Sequence, residues 1–132
     1  MTTITLEQQR AADAWKKAQS CSKEYKNLAK GLPALIMNSG LMQVLAFLHE
    51  KGNKTKKDGT PTQPHCRILG EHLRTWLHGR FKSDLPSADF GPFMEALMKT
   101  RPSVFQQITG EAMAWLRWSR QMAAAACLEK ED

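Results

Sequence analysis

Lys16, Lys23 and Lys30 stand seven residues apart, with Lys26 beside them. On one continuous helix that spacing stacks the ammonium groups within about 40° of one another, a stripe suited to neutralising phosphates. Two further basic groups accompany it. Lys54, Lys56 and Lys57 face only Asp58 in a stretch that follows Lys51, and Arg117 with Arg120 shares one strip of the last helical segment, opposite Ile108, Trp115 and Ala126. Any single lysine reads first as a group that keeps a bundle soluble. Three clusters on one short chain turn the reading toward a phosphate-binding surface, without saying which nucleic acid it meets. The candidate phosphate contacts are therefore Lys16, Lys23, Lys26, Lys30, Lys54, Lys56, Lys57, Arg117 and Arg120.

Other chemistries find less support. His65, Cys66 and His72 lie close in sequence, but adjacent His65 and Cys66 point about 100° apart on a helix, whereas zinc needs four convergent ligands. His72 falls on an apolar helix side and reads as a core or helix-contact histidine. Cys21 and Cys127 sit near apolar faces, where a thiol is an inert small hydrophobe. Asp84, Asp89 and Glu95 read as solvated or capping carboxylates, with no close acid-base pair. Neither a glycine-rich phosphate loop nor a serine nucleophile elbow occurs. No metal, cofactor or enzymatic activity is expected.

The elements that must position these side chains follow from periodicity. Thr5 and Gln8 form a capping-box pattern, after which Ala11, Trp15, Ala18, Ser22, Tyr25 and Ala29 recur every three or four positions, predicting one helix of about six turns. Gly31 is read as its end and Pro33 as the first turn of the next helix, which should break at Asn38-Ser39-Gly40 and resume through Leu41, Val44, Leu45 and Leu48. Residues 52–64 carry no large apolar side chain, so a flexible basic loop is predicted there. A helix opening at Pro64 buries Ile68, Leu69, Leu73, Trp76 and Leu77 and closes near Gly79. A shorter one after Ser87 carries Phe90, Phe93, Met94, Leu97 and Met98, its start delayed by Gly91-Pro92. The last runs from about Ser103 to Leu128 on Val104, Phe105, Ile108, Ala112, Leu116, Met122, Ala123 and Ala126. Strand alternation and internal repeats are missing. The expectation is an all-α compact bundle of five to six helices.

The chain has 132 residues and a formal net charge of +6, with 42% hydrophobic residues, which predicts a single helical domain over 1–132. An odd, sparse set of three cysteines is no disulfide framework and suggests a reducing compartment. The apolar run near Leu41 to Leu48 is too short to span a bilayer, and the polar N-terminus lacks the pattern of a secretory signal. A cytoplasmic protein is expected. Its positive charge favours polyanionic partners. Trp118, off the main inner stripe and near Met122, reads as a core edge or a contact with a neighbouring subunit.

Several of these residues also carry a family pattern. Arg10-Ala11-Ala12 with Trp15, Tyr25, Leu32-Pro33-Ala34-Leu35-Ile36, and Asn38-Ser39-Gly40-Leu41 running into Leu45-Ala46-Phe47-Leu48 resemble the small helical subunit of the type III-B (Cmr) CRISPR effector complex. Phe105-Gln106-Gln107-Ile108-Thr109-Gly110-Glu111-Ala112, followed by Leu116-Arg117-Trp118, resembles that family's closing helix. The likeness covers the first fifty residues and the last thirty. It implies a non-catalytic subunit in antiviral defence that stacks with copies of itself, lies along the backbone subunits and helps hold guide and target RNA. Cleavage would belong to other subunits. The alternatives are the small subunit of a type III-A or type I complex, a stand-alone helical nucleic-acid-binding or regulatory domain, and an adaptor that touches only protein.

Overall fold

The computed structural model describes residues 3–20 and 22–130, the side chains of 129 and 130 excepted. Six helices organise them: α1 (Leu6–Ala18), α2 (Lys23–Ser39), α3 (Leu41–Asn53), α4 (Pro64–Arg80), α5 (Phe90–Met98) and α6 (Pro102–Lys130). The long α6 is the spine against which α1 and α2 pack. A second layer forms where α3 lies on α4, and α2 also meets both of these helices. Trp115, Leu32, Leu45, Leu48, Leu69, Leu73, Phe93 and Ile108 are fully buried between the layers, so the all-α bundle read from periodicity is the architecture observed.

The capping box at Thr5 is formed in both directions: Gln8 N–H donates to Thr5 Oγ1 at 3.1 Å and Thr5 N–H to Gln8 Oε1 at 2.7 Å. The predicted six-turn helix is not formed. It divides after Ala18, because the Gln19 side chain turns back onto the Trp15 carbonyl at 3.0 Å and Ser22 caps the next helix, its Oγ accepting Tyr25 N–H at 3.1 Å. The period runs on in phase across this break, so spacing alone concealed it. Cys21 lies outside the described residues.

Gly31 and Pro33, read as a stop and a start, both lie inside α2. Proline removes one backbone donor there. The helix nonetheless continues because Leu32 and Ile36 on either side of it are driven into the core. The predicted break comes at Gly40, whose φ of 85° is a conformation open to glycine. Trp15 and Met98, both assigned to apolar faces, are 36% and 65% exposed, since Ala14 and Ala18 supply the inner face of α1 and Phe93, Met94 and Leu97 that of α5.

Between α3 and α4, residues 54–63 form a small closed turn. Lys56 N–H donates to the Thr60 carbonyl at 2.8 Å, and Thr55 bridges Pro61. Gly52 and Asn53, assigned to the loop, belong to α3, and Gly52 is buried against the backbone of Arg67 where the two helices touch. Burial therefore does reach into the 52–64 stretch, through a residue with no side chain.

Candidate functional site

The basic residues are distributed by the break between α1 and α2. Lys23, Lys26 and Lys30 remain together at i, i+3 and i+7 on the outer side of α2, opposite Tyr25, Ala29, Leu32 and Ile36. Lys16 belongs to α1 and does not continue their stripe. The four-lysine array of one helix is thus corrected to a three-lysine array on α2 plus a separate Lys16. Lys54, Lys56 and Lys57 are exposed on the closed turn, and Arg117 and Arg120 are exposed on α6. Among the described residues the ion pairs within 4.0 Å join Arg10 to Glu111, Lys17 to Asp13 and Arg67 to Glu71, so none of the nine candidate cations has a carboxylate partner there. Trp118 is half-buried against the core and shares with Arg10 and Arg117 the wall of an open depression of about 470 Å³. Met122 is half-buried in the same core edge. The exposed large apolar side chains are Ile4, Trp15, Leu35, Met37, Phe47, Met98 and Leu128, of which Leu35, Met37 and Phe47 lie on α2 and α3.

The interior polar residues are held by one another. Arg10 donates from Nε and Nη2 to the two oxygens of Glu111 at 2.7 and 2.8 Å, and Trp76 Nε1 donates to Glu111 Oε2 at 3.0 Å. Burial works to raise the Glu111 pKa, but the hydrogen bonds from Arg10 and Trp76 outweigh it and hold the carboxyl below its usual range. That pairing ties α1, α4 and α6 together. Asp13 Oδ2 accepts from Lys17 Nζ at 2.7 Å and from Trp115 Nε1 at 2.8 Å, while the same ammonium donates to the His72 carbonyl at 3.0 Å and lies 5.2 Å from the Trp115 ring centroid. Burial lowers the Lys17 pKa, opposed by its bond to Asp13. His72 Nδ1 and the Tyr25 hydroxyl are 2.9 Å apart. Burial first, and the nearby Lys17 charge second, depress the imidazole to about 4, so it is neutral at physiological pH.

These pairings leave the interior carboxylates engaged as helix ties. Asp13 and Lys17 were not singled out from the sequence, and Trp76 and Glu111 were named only as an inner-face residue and as part of a motif, since polar partners 35 to 102 residues apart leave no local signal of their pairing. Sequence order did place His72 correctly as a helix contact. Among the described residues, no three His, Cys, Asp or Glu side chains converge as metal ligands. Burial raises the Cys66 thiol, which keeps it protonated.

A family model described as CRISPR-associated protein (Cas_Cmr5) matches residues 6–126. The chain belongs to this family. The match spans all but the last turn of the bundle, including the middle segment on which the quoted motifs were silent. No curated protein matches the chain. A Cas_Cmr5 protein is a small subunit of the Cmr (type III-B) CRISPR machinery, so its partners include other Cmr subunits. No helix among the described residues is long and apolar enough to cross a membrane.

Proposed function

We propose that this chain is a non-catalytic small subunit of an RNA-guided type III-B complex in the cytoplasm, acting in antiviral defence. It lies along the backbone subunits, stacks with copies of itself and helps hold guide and target RNA by contacts to phosphate rather than to bases. The observation that carries the reading is the set of cations on a Cas_Cmr5 bundle that form no ion pair among the described residues, foremost Lys23, Lys26 and Lys30 on one side of α2, of which Lys23 and Lys30 are exposed and Lys26 is half-buried. Unpaired ammonium groups on a rigid helix attract a polyanion without reading its sequence. The engagement of Asp13 and Glu111 as structural ties supports a subunit that leaves cleavage to others. Leu35 and Phe47, exposed and lining one shallow depression between α2 and α3, support a protein-contact face.

The test is RNA retention in the reconstituted complex. Changing Lys23, Lys26 and Lys30 together to Glu leaves the buried side of α2 intact, and is expected to weaken RNA retention and flatten its log–log salt dependence by about 2, at about 0.7 per phosphate contact on a single strand. The control reverses Lys82, Lys99 and Arg101, which are exposed around α5. Equal weakening by both triple variants would show that only overall charge matters.

A further inference from the structure

Glu24 lies on the rim of a depression of about 400 Å³ against the start of α4, and Leu35 on one of about 160 Å³ against α3. These two residues mark the flank of α2 that meets α3 and α4. At about 100° per residue, Lys23, Lys26 and Lys30 fall on the opposite flank, across the buried strip of Ala29 and Ile36. The remaining helix packed extensively on α2 is α6, so the lysine flank is the one that borders α6. Lys26 is half-buried there while Lys23 and Lys30 are exposed, as expected where one lysine stem lies along the neighbouring helix and its ammonium group stays in water.

The flanks of α6 are assigned in the same way. Glu111 and Trp118 face α1, through the Arg10 ion pair and the open depression shared with Glu7. Cys127 faces α2, its Sγ donating to the Ser22 carbonyl at 3.6 Å just before that helix begins. Arg120 stands seven residues before Cys127, about two turns, so it lies on the same strip within about 20°, and it is exposed. Because α2 starts beside Cys127, near the end of α6, and packs along α6 from there, the two helices run antiparallel. Equal rises of about 1.5 Å per residue then bring Arg120 level with Ala29, between Lys26 and Lys30, at a helix separation of about 8–10 Å. The carboxylates whose side chains are described on these two helices are Glu24, on the far flank of α2, and Glu111, bound by Arg10.

We propose that Lys26 and Lys30 of α2 and Arg120 of α6 form one phosphate-binding site across the seam between the two helices, seating the backbone of a single RNA segment, with Lys23 and Arg117 at its two ends. It rests on the RNA-holding reading above and joins two clusters that the chain order keeps apart. Like charges held this close repel one another, so phosphates seated on the seam relieve that repulsion as well as releasing counterions. Arg120 contributes a planar fork that can grip a phosphate through two bonds, and the lysines act as point charges on either side of it. From Lys23 to the level of Arg117 the site runs about 14 Å along the helix axes, the span of a few nucleotides.

The experiment titrates the full chain with a labelled RNA of about four nucleotides, too short to join clusters on separate faces, across a salt series. One strand per chain is expected. Arg120→Gln should lower the log–log salt slope by about 0.7, Lys26→Gln with Lys30→Gln by about 1.4, and all three together by about 2, while Lys99→Gln, exposed at the end of α5, leaves it unchanged. The substitutions leave the buried strips of both helices intact, and circular dichroism of each variant checks that the fold is kept. Two strands bound per chain, or a slope that responds to the α2 lysines and not to Arg120, would overturn the shared site and leave the RNA-holding reading standing. An equal loss in Lys99→Gln would reduce the effect to overall charge and overturn it as well. Absence of short-strand binding by the wild-type chain at low salt also sinks the shared site, and if the assembled complex then retains no RNA through this subunit, the RNA-holding reading falls with it.

Discussion

Alanine at Gly52 tests the close contact between α3 and α4, because helix propensity and packing predict opposite outcomes. A Cβ built there overlaps the Arg67 backbone nitrogen and lies 2.5 Å from its Cα and 2.6 Å from its Cβ. Two of those atoms belong to the α4 backbone and cannot rotate away. Replacing a helical glycine by alanine gains about 1 kcal/mol of propensity. Forcing a methyl group into a packed contact costs about 1–3 kcal/mol, and a rigid backbone neighbour puts this site at the upper end. The net expectation for Gly52→Ala is a loss of about 2 kcal/mol. Gly31 and Gly110, exposed in α2 and α6 with nothing within 4 Å of a built Cβ, supply the comparison. There the same substitution is expected to stabilise by about 0.5–1 kcal/mol. At roughly 3–4 °C per kcal/mol for a chain of this size, thermal unfolding followed by circular dichroism should fall by about 6–8 °C for Gly52→Ala and rise by about 2–4 °C for each of the others. A Gly52→Ala protein as stable as wild type would refute the close approach of α3 to α4.

Further expectations concern the interior ties and pH. Glu111→Gln removes the charge facing a guanidinium that is 21% exposed, so a loss of about 2 kcal/mol is expected in urea unfolding, below the 3–5 typical of fully buried pairs. A loss under 0.5 kcal/mol would show that the pair is superficial. Because the folded pKa of His72 is depressed from 6.5 to about 4, the unfolded chain binds the extra proton first as pH falls. Stability from this group is therefore full above pH 6.5, declines toward pH 4 and levels off below. The ceiling for that shift is about 3.4 kcal/mol, reduced by solvent screening at this half-buried site to about 2. His72→Gln should flatten the decline between pH 6.5 and 4, and an unchanged pH profile would assign it to other groups. Purified protein is expected to leave RNA and DNA intact with and without divalent metal; a nuclease activity lost with a single carboxylate substitution would reverse that reading.

Much of the bundle was legible because burial and helix periodicity coincide from Leu41 onward. Leu69, Leu73 and Leu77, and Ile108, Ala112, Leu116 and Ala123, recur at three- and four-residue intervals and are all buried. Pro64 and Gly40 likewise acted where their backbone chemistry says they should. The first forty residues were harder. Their apolar period continues unbroken past Gln19 and Ser20, so the capping role of Ser22 competes with a helical reading that spacing alone favours. Gly31 and Pro33 carry stop and start signals that the burial of Leu32 and Ile36 overrides.

The chain order of apolar and capping residues by itself determined an all-α body, most of its helix ends and its family, since these depend on interactions within a few turns and on motif order. Which charges are free was decided only by tertiary structure. Lys16 and Lys17 are neighbours in sequence, yet packing against α4 and α6 places Lys17 on Asp13, the His72 carbonyl and Trp115, while Lys16 stays open to solvent. The two cavities beside α4 arise in the same way, where residues of α1 and α2 meet residues 62–80. A local pattern specifies how a helix turns, but the partner that covers one side of it is set by the lowest-energy packing of the whole chain.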